Sequence, residues 1–201
     1  MEKSIIHPDF PDTHSDVSSK TIFGFWVYLM TDLVMFASFF ACFVVLRHGT
    51  FGGPTAADLF HLPYALVESL VLLGSSFSVG IAMLSPRREK QKKMVFWFGL
   101  SFVLGLVFLF MQVSEFKSLF SQGYTWQTSA FLSAYYTVIG LHSLHLLVAM
   151  ALLVLFLWQM SRWGLVPMVL RRLTCLRIFW QFLYLIWIFT FTFVYIIGST
   201  R

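Results

Sequence analysis

Charge is what this sequence has least of. Only 11% of its 201 residues are charged, while 58% are hydrophobic, and an ordinary soluble domain carries about 25% charged residues. A water-soluble protein of this length could not hide so much apolar surface, so lipid has to cover part of it. Cysteine is nearly absent: Cys42 falls in an apolar run and Cys175 in a basic stretch expected on the opposite side of the membrane. No CxxC and no Cys/His zinc spacing occurs, which excludes a disulfide framework and thiol redox chemistry. The six prolines (Pro8, Pro11, Pro54, Pro63, Pro86 and Pro167) keep to loops or to within a turn of a span end. Helix interiors therefore keep their backbone hydrogen bonds, for which hydrocarbon offers no replacement partner. No repeat of fixed period and no low-complexity segment is present.

What is abundant is long apolar sequence, rich in aromatics (24 Phe and 7 Trp). Crossing ~30 Å of hydrocarbon takes about 20 apolar residues at 1.5 Å each. Five stretches qualify, near Ile22–Leu46, Leu62–Leu84, Met94–Val113, Ala130–Trp158 and Ile178–Gly198. The expected fold is an all-α integral membrane bundle of five transmembrane helices, with a tail at 1–21 and one membrane domain at 22–201. The first apolar run is about 25 residues long, against 7–15 for a signal-peptide core, and it follows an acidic leader (Asp9, Asp12, Asp16). It reads as a permanent helix. Between the first two spans, Gly52-Gly53-Pro54 precedes Thr55 and Asp58, a capping-box spacing that predicts a short surface helix.

The few positive charges set the orientation. Lys3, Lys20, Arg87, Arg88, Lys90, Lys92, Lys93, Arg162, Arg171, Arg172 and Arg177 fall on one side of this five-span frame, and only Arg47, Lys117 and Arg201 on the other. The Lys/Arg-rich side is expected to be cytoplasmic, which places the N-terminus in the cytoplasm and the C-terminus on the opposite side. The formal charge of +5 is thus a topology signal, not a nucleic-acid surface.

Ionisable residues inside a span cost ~2.5–3.5 kcal/mol each on insertion scales, so each asks for a reason. They are Asp32 in the first helix, Glu68 in the second, Glu115 at the outer end of the third, and His142 and His145 in the fourth. Counting helical rise from the span ends, Asp32 lies roughly 15 Å deep and the two histidines roughly 18–22 Å deep from the other side, so these three can share a layer. They form either a proton-titratable cluster or a polar contact that fixes helix register; the second reading is preferred, because such groups pair up in hydrocarbon. Glu68 and Glu115 belong to the outer part of the bundle, near each other and within reach of water or headgroups. Three residues apart on one face, His142 and His145 cannot supply axial haem ligands on opposite sides of a ring, and with Asp32 alone they are too few for a metal. Gly74/Ser78 and Ser76/Gly80 form small-xxx-small pairs that predict a close packing face on the second helix. Phe36, Phe39, Phe40, Phe43, Phe189, Phe191 and Phe193 are expected to pack or to face lipid.

These residues resemble subunit III of the haem-copper respiratory oxidases, most closely the five-helix form of bacterial cytochrome o ubiquinol oxidase. The likeness rests on Gly24-Phe25-Trp26 leading to Tyr28-Leu29-Met30-Thr31-Asp32; on Gly52-Gly53-Pro54-Thr55, Leu62-Pro63 and Val67-Glu68-Ser69; on Glu115-Phe116; on Phe131-Leu132-Ser133-Ala134 with Gly140-Leu141-His142-Ser143-Leu144-His145; and on Phe179-Trp180 with Trp187. The resemblance implies an accessory subunit with no catalytic residue, cofactor or metal of its own. Its expected partners are subunit I, which holds the haems and copper and pumps protons, subunits II and IV, and bound phospholipid. Asp32 matches an intramembrane acid linked in relatives to proton uptake or carbodiimide sensitivity. The last helix departs from the family's Trp-His-Phe-x-Asp: Gln181 stands for the His and Tyr184 for the Asp, and Ser143 replaces a usual glycine. Rival readings are an independent proton-coupled transporter, a cytochrome b-like anchor, and subunit III of a cytochrome c oxidase. Transporters commonly use broken helices and internal repeats, and neither is found here.

Overall fold

A chain immersed in lipid must pair its peptide groups internally, and a helix does so within each segment. The computed structural model describes residues 13–47, 49–50, 62–84, 91–164 and 166–197, with backbone alone for 13–18. It contains α1 (Thr13–Leu46), α2 (Leu62–Ala82), α3 (Gln91–Ser121), α4 (Ala130–Trp163) and α5 (Pro167–Thr190), the last running on as a π-helix, Phe191–Ile197. All five are long and apolar enough to cross a membrane, and no strand occurs among the described residues. The capping-box segment at Thr55–Asp58 lies outside them.

The helices outrun the apolar runs that announced them. α1 starts at Thr13, inside the expected tail, and α3 continues to Ser121, past the expected end at Val113. The extra turn of α3 is polar at Ser114, Glu115, Lys117 and Ser118, but Leu119 folds back into the core. α5 begins at Pro167, not near Ile178. Its first turns carry Arg171, Arg172 and Cys175, so this stretch is helix where a loop was expected. Pro at the first helical position gives up an N–H that would have had no partner, and its fixed φ suits the helix start. Gly164 ends α4 at φ 71°, its N–H donating to Met160 O at 2.9 Å, a left-handed turn that glycine makes without strain. The α4–α5 connection is therefore only Gly164–Val166.

Spatial order differs from chain order. The helices close a ring in the sequence α1, α4, α3, α2, α5, and α4 and α5 also touch directly. The largest side chains with no exposed surface include Trp180, Trp187, Tyr135, Tyr195, Phe36, Phe98 and Phe108. Of the phenylalanines in α1, Phe36, Phe40 and Phe43 are core residues, whereas Phe189 faces outward. Phe23, Phe77, Phe96 and Phe110 also point outward, at 65–73% exposure, an apolar coat that only lipid or a partner helix tolerates. Trp126, Trp158 and Trp163 lie outward at or beyond helix ends, where indoles anchor at headgroup depth.

Of the small residues predicted to pack on α2, Ser76 and Ser78 are buried, but a methyl group on Gly80 would meet nothing within 4 Å, and the centre of the contact is a hydroxyl. Ser75 is buried and donates to Ser101 O of α3 at 3.0 Å. It accepts from the Trp180 Nε1–H of α5 at 3.0 Å. One turn and a half along α2, Ser69 Oγ accepts from Trp187 Nε1–H at 2.9 Å. The pairing of 180 with 75 and 187 with 69 requires α2 and α5 to run antiparallel. Gly105 on α3 leaves the room for Trp180: a methyl group there would meet Trp180 Cζ2 at 3.3 Å and Met150 Sδ at 3.4 Å.

Candidate functional site

The ionisable residues sort into two interhelical groups. In the first, α1 presents Asp32 and α4 presents His145, with His145 Nε2 3.9 Å from Asp32 Oδ2. His145 Nδ1 meets Leu141 O of its own helix at 2.8 Å. A carbonyl only accepts, so Nδ1 carries hydrogen and Nε2 is the atom turned toward the carboxyl. Asp32 Oδ2 has no hydrogen-bond partner, and His145 Nε2 stands just beyond hydrogen-bonding distance of it. Tyr28, one turn earlier on α1, interacts electrostatically with Asp32. Phe36 and Phe179 close over the imidazole with ring centroids at 5.3 and 6.5 Å, and Asp32 is 8% exposed.

His142 shares the helical face of His145 but turns to another neighbour. Its Nε2–H donates to Leu183 O of α5 at 3.1 Å, while the ring packs on Phe108 and Trp187. It is wholly buried, and its Nδ1 has no hydrogen-bond partner. Of the three residues expected in one layer, Asp32 and His145 pair directly, and His142 ties α4 to α5.

The second group lies between α2, α3 and the π-helical end of α5. Gln112 Nε2 donates to Glu68 Oε2 at 2.8 Å, and Tyr195 O–H donates to Glu115 Oε2 at 3.0 Å. Glu68 and Glu115 interact electrostatically, as their expected proximity required. Tyr135 of α4 also interacts with Glu115. One expectation fails: Glu68 does not reach water or headgroups, because it has no exposed surface at all. Helical depth says how far along the axis a residue lies, not which way it faces, and Glu68 faces α3. Glu115 is half-buried. Among the described residues no three of His, Cys, Asp and Glu converge as a metal site would need.

A groove runs along the outside of α1 and α5. Its outer part, about 670 Å³, is walled by Phe40, Ala41, Ile186 and Phe193. Its inner part, about 280 Å³, is walled by Trp26, Met30, Ile178 and Gln181. Leu33 lines both.

A sequence model of the family described as cytochrome c oxidase subunit III matches residues 5–199. The chain belongs to that family. Cytochrome bo(3) ubiquinol oxidase subunit 3 of Pseudomonas aeruginosa is 39% identical over 208 aligned positions, covering 99% of this chain and 100% of that protein. The protein of the same description from Pseudomonas putida is 38% identical over 183 positions, 91% of this chain and 88% of its own length. Cytochrome c oxidase subunit 3 of Bacillus sp. (strain PS3) is 33% identical over 192 positions, 95% of this chain and 93% of its own.

In this subunit III chain the motif residues that carried the resemblance meet in space. Asp32 of the first motif meets His145 of the fourth, and Ser69 of the second meets Trp187 of the fifth. The two departures on α5 fall away from these contacts: Gln181 is exposed in the inner groove and Tyr184 is half-buried. Sequence reasoning missed Gln112. The available signal was the one amide inside the apolar run 94–113, three residues before Glu115 and so on its face. Tyr195 had no such signal, because the π-helical winding that turns it inward is not legible in composition.

Proposed function

We propose that this chain is the accessory third subunit of a terminal oxidase that passes electrons from ubiquinol to O2, redox-inactive itself and bound to the catalytic subunit I. The observation that carries this reading is the end-to-end match, across 99% of this chain, to a protein described as a ubiquinol oxidase subunit 3. Haems and copper would reside in subunit I, with subunits II and IV completing the complex in the bacterial inner membrane. The Lys/Arg distribution supports a cytoplasmic N-terminus and a periplasmic C-terminus, with residues 1–21 as the tail and 22–201 as the membrane domain.

The buried polar groups support a stabilising role. Several of them reach across to another helix, as at Ser75–Trp180, Ser69–Trp187, Glu68–Gln112 and His142–Leu183. Asp32 with His145 is the group suited to a proton-related role, since a carboxyl and an imidazole from two helices face each other there inside the membrane span. The α1–α5 groove suits a phospholipid acyl chain, being long, apolar and open to the hydrocarbon.

Deleting this chain tests the reading. The oxidase left behind should keep its haems and its initial oxygen reduction but lose activity faster during turnover or come apart more readily. A complex with unchanged assembly, oxygen reduction and turnover lifetime would overturn it.

A further inference from the structure

The Glu68–Gln112 pair is only half satisfied as a carboxylate and an amide. Gln112 Nε2 donates to Glu68 Oε2 at 2.8 Å, but Glu68 Oε1 and Gln112 Oε1 are both buried without a hydrogen-bond partner. Each of these oxygens is an acceptor when Glu68 is ionised, so neither can serve the other. One proton removes both vacancies. An acid O–H on Glu68 facing the amide oxygen closes a cyclic acid–amide pair in which every polar atom has a partner and no net charge is buried.

We propose that Glu68 is a proton-binding site, held as the neutral acid in a cyclic pair with Gln112 and separate from the Asp32–His145 pair. The surroundings favour the neutral form. Glu68 has no exposed surface and Gln112 only 1%, and an isolated ionised carboxyl in such a place is far costlier than a hydrogen-bonded neutral one. The titratable groups that reach it from each neighbouring element are Tyr64 on α2, Glu115 on α3, Tyr135 on α4 and Tyr195 at the end of α5. No cation is paired with it among the described residues. Two carboxyls that interact in apolar surroundings resist ionising together, and their partners decide which one keeps the proton. Glu115 receives the Tyr195 hydroxyl at 3.0 Å, a donor that suits a carboxylate. The Tyr64 hydroxyl, which interacts with Glu68 from one turn earlier on α2, is spent on Met111 O at 3.0 Å. Glu68 is thus the carboxyl of the two whose partners call for the proton.

The test is infrared absorption of the purified complex containing this subunit. Wild type minus Glu68→Gln should show the C=O stretch of a protonated carboxyl, shifted in D2O. Adding Gln112→Glu to that variant exchanges acid and amide and should restore the band. Gln112→Leu removes the partner but keeps the acid, and should move the band to higher frequency. Should Glu68→Gln fail to assemble, this third variant still decides. A carboxylate stretch in place of the acid band, or an acid band unmoved by Gln112→Leu, would overturn the proposal.

Discussion

The Trp180 indole and the Ser75 hydroxyl meet at 3.0 Å, and because Ser75 also donates to Ser101 O, that one contact ties α5, α2 and α3 together. In lipid no hydrophobic force drives helices against one another, so packing and interhelical hydrogen bonds decide which faces meet. Trp180 is held at its Nε1 by Ser75 and has little freedom to move when something crowds its six-membered ring.

Gly105 is where that rigidity can be measured. In an exposed helix interior Gly→Ala gains about 1 kcal/mol of helix propensity. At Gly105 the new methyl would press on Trp180 at 3.3 Å and Met150 at 3.4 Å, and overpacking of that kind costs about 1–3 kcal/mol. Gly105→Ala should therefore lower the thermal resistance of the detergent-solubilised complex. Gly99→Ala, with nothing within 4 Å, should leave it unchanged or raise it. The pair of melting curves checks the sign.

Asp32 and His145 should act as one unit. Asp32→Ala and His145→Gln should each leave the haem content of the complex intact and shorten its active lifetime during turnover. The double variant should do no more than the worse single one, because the second change removes a partner already idle. Full additivity in a double-mutant cycle would separate the two residues.

Orientation is open to side-specific labelling. In a background without Cys42 and Cys175, Lys92→Cys should react with an impermeant thiol reagent only from the cytoplasmic side. Gln122→Cys, at the opposite end of α3, should react only from the periplasm. Reaction of both from one side, or with the sides exchanged, would refute the topology drawn from Lys and Arg.

Much of this was legible in advance because hydrocarbon narrows the choices. Uninterrupted apolar runs gave five helices, and counting helical rise from opposite faces brought Asp32 and His145 to one depth before their 3.9 Å contact. The ends were less legible. Apolar sequence reports where lipid begins, whereas α3 and α5 continue as helix through 114–121 and 167–177, where polar residues interrupt the apolar run. Rotation was the other gap. Glu68 looked peripheral by depth, but it turns inward to Gln112, and which faces pair across the ring of helices depends on tertiary packing. The π-helical turn that carries Tyr195 to Glu115 left no mark in residue type.

Whether this chain is an accessory subunit of a haem-containing oxidase is read from a reduced-minus-oxidised spectrum of material purified from native membranes on a tag attached to it. Haem bands should accompany the tagged chain and disappear when the other subunits are stripped away. A haem-free preparation from membranes in which the oxidase is abundant, or haem that stays with the isolated chain, would contradict it.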